Sequence, residues 1–416
     1  MCPPPARIGV KNMVSKRSAQ VFLILLLSVV FFLSVFSAFA YPDQPSDTGA
    51  HIRKLEGIME GKTASAYPLM YFSAGLIHRA FGLPLEIAFG ILMGLCSVLT
   101  LFVLYWLFIR NAGCPMIVAF LAALCVSVIL HVYIPGGVME LYYGQGGGNA
   151  WHNPSSTAMK PFAVVSFIAF AMLLDKSARK KGEEGRMRLL NDEGCPENML
   201  IAVFFAATVL GILAKPSFAF GFVIAGAVMM LIRIRHIDRK FFAAMLFTAV
   251  VLCCLLFWQS SALFAEGGKH SGGLIFSPAR AFYFISLSTR SVPISVASHL
   301  LYPAAMLALF YKDIRPLKNN LYLTAWVFYI VSMLIFFSVS EATNPHYMNI
   351  GWTRGIAIFT LQTATTLEFV RSIGRRKERS ESGPKRKRRY DIRLGAVFVC
   401  LLLQVVPGVV WLYSFI

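Results

Sequence analysis

The stretch Ser46-Asp47-Thr48-Gly49-Ala50-His51-Ile52-Arg53-Lys54 sets a carboxylate and an imidazole four residues apart, a spacing that puts both on one face of a helix. A carboxylate so placed can take the proton of an attacking hydroxyl, with His51 orienting it or shuttling the proton. Three cations form a second pattern: Lys160 precedes Pro161, Lys215 precedes Pro216, and Arg354 follows Trp352-Thr353. Proline suits the first turn of a helix, where the N–H it lacks would be unpaired anyway, so each cation is expected to begin a helix. The positive end of a helix dipole disfavours a cation. Three such cases therefore ask for an anion, and a helix N-terminus joined to Lys or Arg suits a phosphate. For any one of them, anchoring of a span at the lipid headgroups is the plain alternative.

Two further segments carry polar groups. Trp151-His152-Asn153-Pro154 precedes Lys160, and residues 341–352, with Glu341, His346, Asn349 and Trp352, precede Arg354. Carboxylate, amide and ring groups together fit a sugar, whose hydroxyls need directional partners while its C–H face packs on a ring. His152, Asn153, Glu341, His346, Asn349 and Trp352 are thus candidate sugar or acceptor contacts. The alternative is an interfacial belt of aromatics with Asn and His as helix caps.

The elements that must position these residues are membrane spans. The chain has 416 residues, 57% hydrophobic and only 14% charged, whereas soluble proteins are roughly 25% charged. Stretches long enough to cross a hydrocarbon core are read at 20–40, 85–109, 113–134, 161–175, 199–214, 216–232, 241–264, 294–311, 321–340, 353–370 and 394–416. With the N-terminus cytoplasmic, the loops on its side hold 29 of the 39 Lys and Arg, so the charge bias agrees with the parity of all eleven spans. The run from Arg375 to Arg389 is then a retained cytoplasmic loop rather than a nucleic-acid signal, and the net charge of +19 is mostly topology. Ala38-Phe39-Ala40 could end a cleaved leader, but the apolar stretch before it exceeds a usual signal core. Residues 64–81, interrupted by Pro68, His78 and Arg79, would cross poorly and break the parity; they are read as a helix along the outer surface.

Other chemistries lack their signatures. No CxxC or His/Cys spacing marks a zinc site, no glycine-rich loop precedes Lys-Ser or Lys-Thr, and a divalent ion is not indicated. The cysteines lie within spans or near the cytoplasmic side, none in an outer loop. Gly136-Gly137 and Gly146-Gly147-Gly148 read as flexible outer loop. The spans are nearly free of charge, whereas ion-coupled transporters keep charged groups near the midplane. The polar chemistry is thus assigned to the outer surface.

The order of a basic leader, one span, Asp47-Thr48-Gly49-Ala50-His51, then Tyr67-Pro68-Leu69-Met70-Tyr71-Phe72 and Phe81-Gly82 before the second span resembles the opening of the GT-C class of integral membrane glycosyltransferases. The resemblance covers residues 15–110. It implies an all-α polytopic fold with an outer-loop juxtamembrane helix, a polyprenyl-phosphate-linked sugar donor, and an essential acid in the first outer loop. Carried over by position, that acid is Asp47, with Asp43 in reserve. Two features depart from the pattern: paired adjacent acids are absent from that loop, and no large soluble domain follows the last span, which argues against a metal-dependent mechanism.

The expectation is a single transmembrane domain in the cell membrane that transfers a sugar, on the extracytoplasmic face, to a glycan, lipid or protein acceptor. Asp47 would be the base with His51 beside it, and Lys160, Lys215 and Arg354 would hold the lipid phosphate. A polysaccharide polymerase or ligase would share this site and could use the loop 265–293 with Lys269, Arg280 and Arg290. A flippase or other transporter of lipid-linked sugars would need no base.

Overall fold

The computed structural model describes residues 8–41, 47–134, 147–149, 151, 153–181, 195–263, 273–287, 289–343, 351–380 and 384–414, side chains of 8–16 and 377–380 excepted. Among them the chain forms fourteen α-helices and one two-stranded sheet. Eight helices are long and apolar enough to cross a membrane: α1 (Ile8–Ala40), α4 (Leu85–Asn111), α6 (Pro154–Lys180), α7 (Glu197–Ala214), α9 (Arg239–Leu263), α11 (Val292–Ile314), α12 (Asn320–Ser338) and α14 (Pro384–Tyr413). The apolar helices α5 (Met116–Val128) and α8 (Ser217–Ile232) are shorter. Short helices α2 (Thr48–Met59), α3 (Pro68–Phe81) and α10 (Pro278–Leu287) lie between the long ones. The fold is all-α, and its apolar helices make it a multi-pass membrane protein.

One long helix, α13 (Trp352–Ser380), differs in character. It packs against α4, α5, α6, α8, α11, α12 and α14 and buries Thr360, Gln362, Thr363, Thr365, Thr366 and Glu368 along its length. A helix surrounded by protein need not be apolar all round, because its polar side chains can bond to its own backbone. Thr363 Oγ1 donates to Phe359 O at 2.9 Å and Thr365 Oγ1 to Leu361 O at 2.7 Å. The stretch read as a span over 353–370 is thus enclosed by other helices and carries a polar row along the bundle.

The expected span over 113–134 is half correct. Helix α5 stops at Val128, and residues 129–134 run extended, with Ile129, Leu130 and His131 fully buried. Unwound backbone at such depth must find partners. Leu130 N donates to Gln404 O at 3.0 Å and Val132 N to Ser298 O at 3.0 Å. The side-chain amides of Asn149 and Gln362 reach Ile129 O (2.7 Å) and Leu130 O (3.2 Å). Here α14 comes so close that a Cβ on Gly408 would stand 1.8 Å from Val128 O, so only glycine fits.

The two ends of the bundle differ. At one, Lys180 pairs with Glu197 (2.5 Å) and Asp238 (3.3 Å), Arg376 with Asp391 (2.7 Å) and Arg393 with Asp313 (3.1 Å); this is the basic end. The opposite end carries α2, α3 and the starts of α6, α8 and α13. Helix α3 begins with Pro68, ends at Gly82 in the left-handed region (φ 62°), and buries Met70, Tyr71 and Ala74 while Phe72 and Phe81 stay exposed. Of the helix expected over 64–81, the part from Pro68 to Phe81 is present, as an amphipathic segment. Strand β1 (Leu274–Phe276) pairs antiparallel with β2 (Val339–Glu341), Leu274 opposite Glu341.

Candidate functional site

Asp47 stands at the N-cap position of α2 without a side-chain capping bond, and its carboxylate is held by a residue far along the chain. Asn153 Nδ2 donates to Asp47 Oδ2 at 2.9 Å. Asn153 is itself the N-cap of α6: its Oδ1 accepts from Ser156 N at 3.0 Å and from Ser155 Oγ at 2.9 Å, and Pro154 fills the first helical position. The same Oδ1 accepts from Lys215 Nζ at 2.8 Å, and Lys215 also reaches Ser155 Oγ (3.0 Å) and Ser156 Oγ (2.9 Å). One amide therefore links a carboxylate to an ammonium, donating to the first and accepting from the second. The Lys215 ammonium lies 4.4 Å from the ring centre of Trp352, the first residue of α13. Thr353 Oγ1 donates to Ser217 O at 2.7 Å and locks that start to α8.

Lys160 lies deeper than its place before Pro161 implies. An Asn-Pro cap starts α6 at Pro154, so Lys160 falls almost two turns inside and Pro161 becomes an internal proline. The side chain is buried, donates to Asn149 Oδ1 at 2.5 Å, and sits 5.3 Å from the ring centre of Trp151 and 4.9 Å from that of Phe359. The segment 147–149, expected as flexible loop, is instead packed on α13: a Cβ on Gly148 would come within 3.1 Å of Phe359 Cα. Asn149 is buried, and its Nδ2 holds Val126 O (3.1 Å) and Ile129 O (2.7 Å) at the frayed end of α5.

Among the described residues neither Lys160 nor Lys215 forms an ion pair, and all their acceptors are neutral oxygens. A buried ammonium without a counter-anion is costly. Burial pushes the Lys215 ammonium down to about 7, with Asp47 opposing. The Asp47 residue keeps an open side to solvent, but the atoms crowded around its carboxyl raise it, against the Asn153 hydrogen bond and the Lys215 charge that lower it.

His51 does not orient Asp47. Its Nδ1 lies 2.6 Å from Tyr71 Oη, and burial, with the Lys215 and Lys54 charges, lowers the imidazole to about 3. A ring that stays neutral in this way is a poor proton shuttle near pH 7; the side chain that holds Asp47 in place is Asn153, whose amide orients the carboxylate but cannot relay a proton. Tyr67 and Tyr71 form an aromatic floor, with Lys54 Nζ 5.3 Å and 5.7 Å from their ring centres.

Arg354 is separated from the two lysines. Two residues beyond Trp352, it turns to the opposite side of α13, where its guanidinium lies 4.0 Å from the ring centre of Phe336 on α12. Its Nε is buried without a hydrogen-bond partner among the described residues. Glu341, 3% exposed, ends β2 beside α10 and α12. The structure thus brings together Asp47, His51, Asn153, Lys215 and Trp352, sets Lys160 almost two turns farther into α6 beside Asn149, and leaves Arg354 and Glu341 elsewhere. Asp43, His152, Lys269, His346 and Asn349 lie outside the described residues.

Sequence reasoning missed Asn149, Ser155 and Ser156. The last two had a signal, since Asn-Pro-Ser-Ser reads as a capped helix start; Asn149, next to a glycine run, had none. No family model, no curated protein and no solved structure matches the chain.

Proposed function

We propose that this protein is an integral membrane glycosyltransferase, resembling the GT-C class, that crosses the cell membrane eleven times with its Asp47 end on the extracytoplasmic face. It moves a sugar from a polyprenyl phosphate to a hydroxyl of a glycan, lipid or protein acceptor. The observation that carries the reading is the Asn153 amide joining Asp47 to Lys215, with a second buried cation, Lys160, almost two turns farther into the helix that Asn153 caps. Buried ammonium groups whose hydrogen-bond acceptors, among the described residues, are all neutral oxygens suit a phosphate, and the carboxylate bridged to Lys215 suits a proton acceptor.

In the reaction, the acceptor oxygen forms its bond to the anomeric carbon as the bond to the phosphate oxygen breaks. The acceptor proton goes to Asp47, whose contribution as base is about 10²–10⁴-fold. The leaving electron pair goes to the lipid phosphate, whose growing charge is met by the fixed ammonium groups of Lys215 and Lys160. Trp352 and Tyr67, both only partly buried, offer faces for the C–H side of a sugar. A single displacement inverts the anomeric centre.

Asp47→Asn is the test: in purified protein, consumption of a radiolabelled polyprenyl-phosphate sugar should fall at least about 100-fold while polyprenyl phosphate binding is unchanged. Turnover within threefold of wild type discards Asp47 as base. A second reading, transport of lipid-linked sugars, is favoured by the polar axis of α13 and the broken end of α5, since discontinuous helices line transporter sites. It requires flux of intact donor across the bilayer that Asp47→Asn leaves unaltered.

A further inference from the structure

A cleft of about 320 Å³ lies at the other end of the bundle from Lys215. It exists because α9 packs against α7 and stands off α8, although only residues 233–238 join α8 to α9. Its floor is the aromatic cluster Phe170, Phe204 and Phe222, whose ring centres lie 5.6 to 6.4 Å apart. Gly226 and Ala249 leave its walls bare, and Leu231, Ile234 and Phe242 stand exposed at its open side. Thr248 is the one polar residue of the lining, and its hydroxyl donates to Ala244 O at 2.8 Å. A dry apolar cleft on the outside of membrane-crossing helices faces lipid chains rather than water.

Charge decides which lipid enters, and from which side. Toward the Lys215 end the cleft is shut by Ile212, Ala219 and Leu252, packed together in a separate buried cluster, with Gln259 Nε2 bonded to Ile212 O at 3.0 Å. Toward the basic end it opens between Ile234 and Phe242. Arg235 adjoins Ile234, and Arg239 lies one turn before Phe242. Both are exposed, and neither makes a hydrogen bond or ion pair among the described residues. Among the described residues, the acids nearby, Glu197 and Asp238, are held by Lys180, with Lys240 3.9 Å from Glu197. Arg233 is turned away, bonded to Asn320 Oδ1 at 3.0 Å and Leu317 O at 2.5 Å. Two cations without a partner among the described residues thus stand at the mouth of a groove that can hold an acyl chain.

We infer that the α8–α9 cleft binds one anionic phospholipid of the leaflet at the basic end, its acyl chain against Phe170, Phe204 and Phe222 and its phosphate between Arg235 and Arg239. The lipid fills the gap that α8 leaves and braces α9. The site is separate from the Asp47–Lys215 cluster, and its test does not depend on sugar transfer.

Native mass spectrometry of the purified full chain, titrated with phosphatidylglycerol or with phosphatidylcholine of the same acyl chains, reads the site directly. Wild type should bind phosphatidylglycerol about 30-fold more tightly, the preference expected of two interfacial cations. Arg235→Gln with Arg239→Gln should bring the preference to within about threefold, and Ala249→Phe should lower the occupancy of both lipids. No headgroup preference in wild type, a preference that survives the double change, or occupancy indifferent to Ala249→Phe overturns the assignment. The double change lies on the exposed surface, so it decides the matter even where the bulkier variant does not fold.

Discussion

Asn153→Asp separates the chemical role of Asn153 from its structural one. Aspartate caps a helix as well as asparagine does, so the bond to Ser156 N, now 3.0 Å long, survives. Lys215, now 2.8 Å from a neutral oxygen, gains a true anion. The fold should therefore hold, with a melting temperature within a few degrees of wild type. The other side of the residue changes sign. A donor 2.9 Å from Asp47 Oδ2 becomes a second carboxylate, and two charges that close repel by about 6 kcal/mol at an effective dielectric of about 20. Solvent on the open side of Asp47 cuts this to about 3 kcal/mol, which is roughly a 100-fold effect. Either one carboxyl takes up a proton or Asp47 swings away; in both cases the base is lost. Donor consumption in nanodiscs should fall about 100-fold, and polyprenyl phosphate should bind more weakly because Lys215 is already paired. A variant that keeps activity within threefold, or one that unfolds, refutes the reasoning from the amide bridge.

Two further perturbations follow. Because the ligand-free Lys215 ammonium sits at about 7, an anion binding beside it must hold its proton. Affinity for polyprenyl phosphate should then fall as pH rises from 7 to 9, and Lys215→Met should abolish that slope; an equal slope in both contradicts the assignment. In the same window the unfolded chain binds the Lys215 proton and the folded one does not, so this group adds stability as pH rises above 7. Gly408→Ala forces a Cβ to within 1.8 Å of the Val128 carbonyl, backbone that can only yield by moving α14, and should cost about 3 kcal/mol in thermal unfolding. Gly395→Ala, inside α14 with open space around it, should stabilise by up to about 1 kcal/mol, and equal effects at the two sites would contradict the close packing at the end of α5.

The length of the apolar runs made the helices legible: each of the eleven stretches read as a span overlaps one. Depth and surroundings were less legible. Residues 353–370 look like any other span until α13 is seen enclosed by seven helices, because hydropathy reports composition and not which neighbours surround a helix. The end of α5 at Val128 carries no breaker; its extended continuation is held by Asn149, Gln362 and Gln404, all distant in sequence. At the site, Asp47 and Lys215 were found from local chemistry. Their connection through Asn153 spans 106 and 62 residues, and no local pattern encodes it. Grouping Arg354 with the lysines failed because the rule used, a cation near a helix start, says nothing about which side of the helix the cation takes.

The claim that the two buried lysines form a lipid-phosphate site is tested most directly by binding of polyprenyl phosphate to the purified protein in nanodiscs. Wild type should bind saturably, and Lys160→Ala and Lys215→Ala should each weaken binding at least about tenfold, the loss of one charge-assisted contact. Binding that is absent, or unaltered in both variants, would contradict the account.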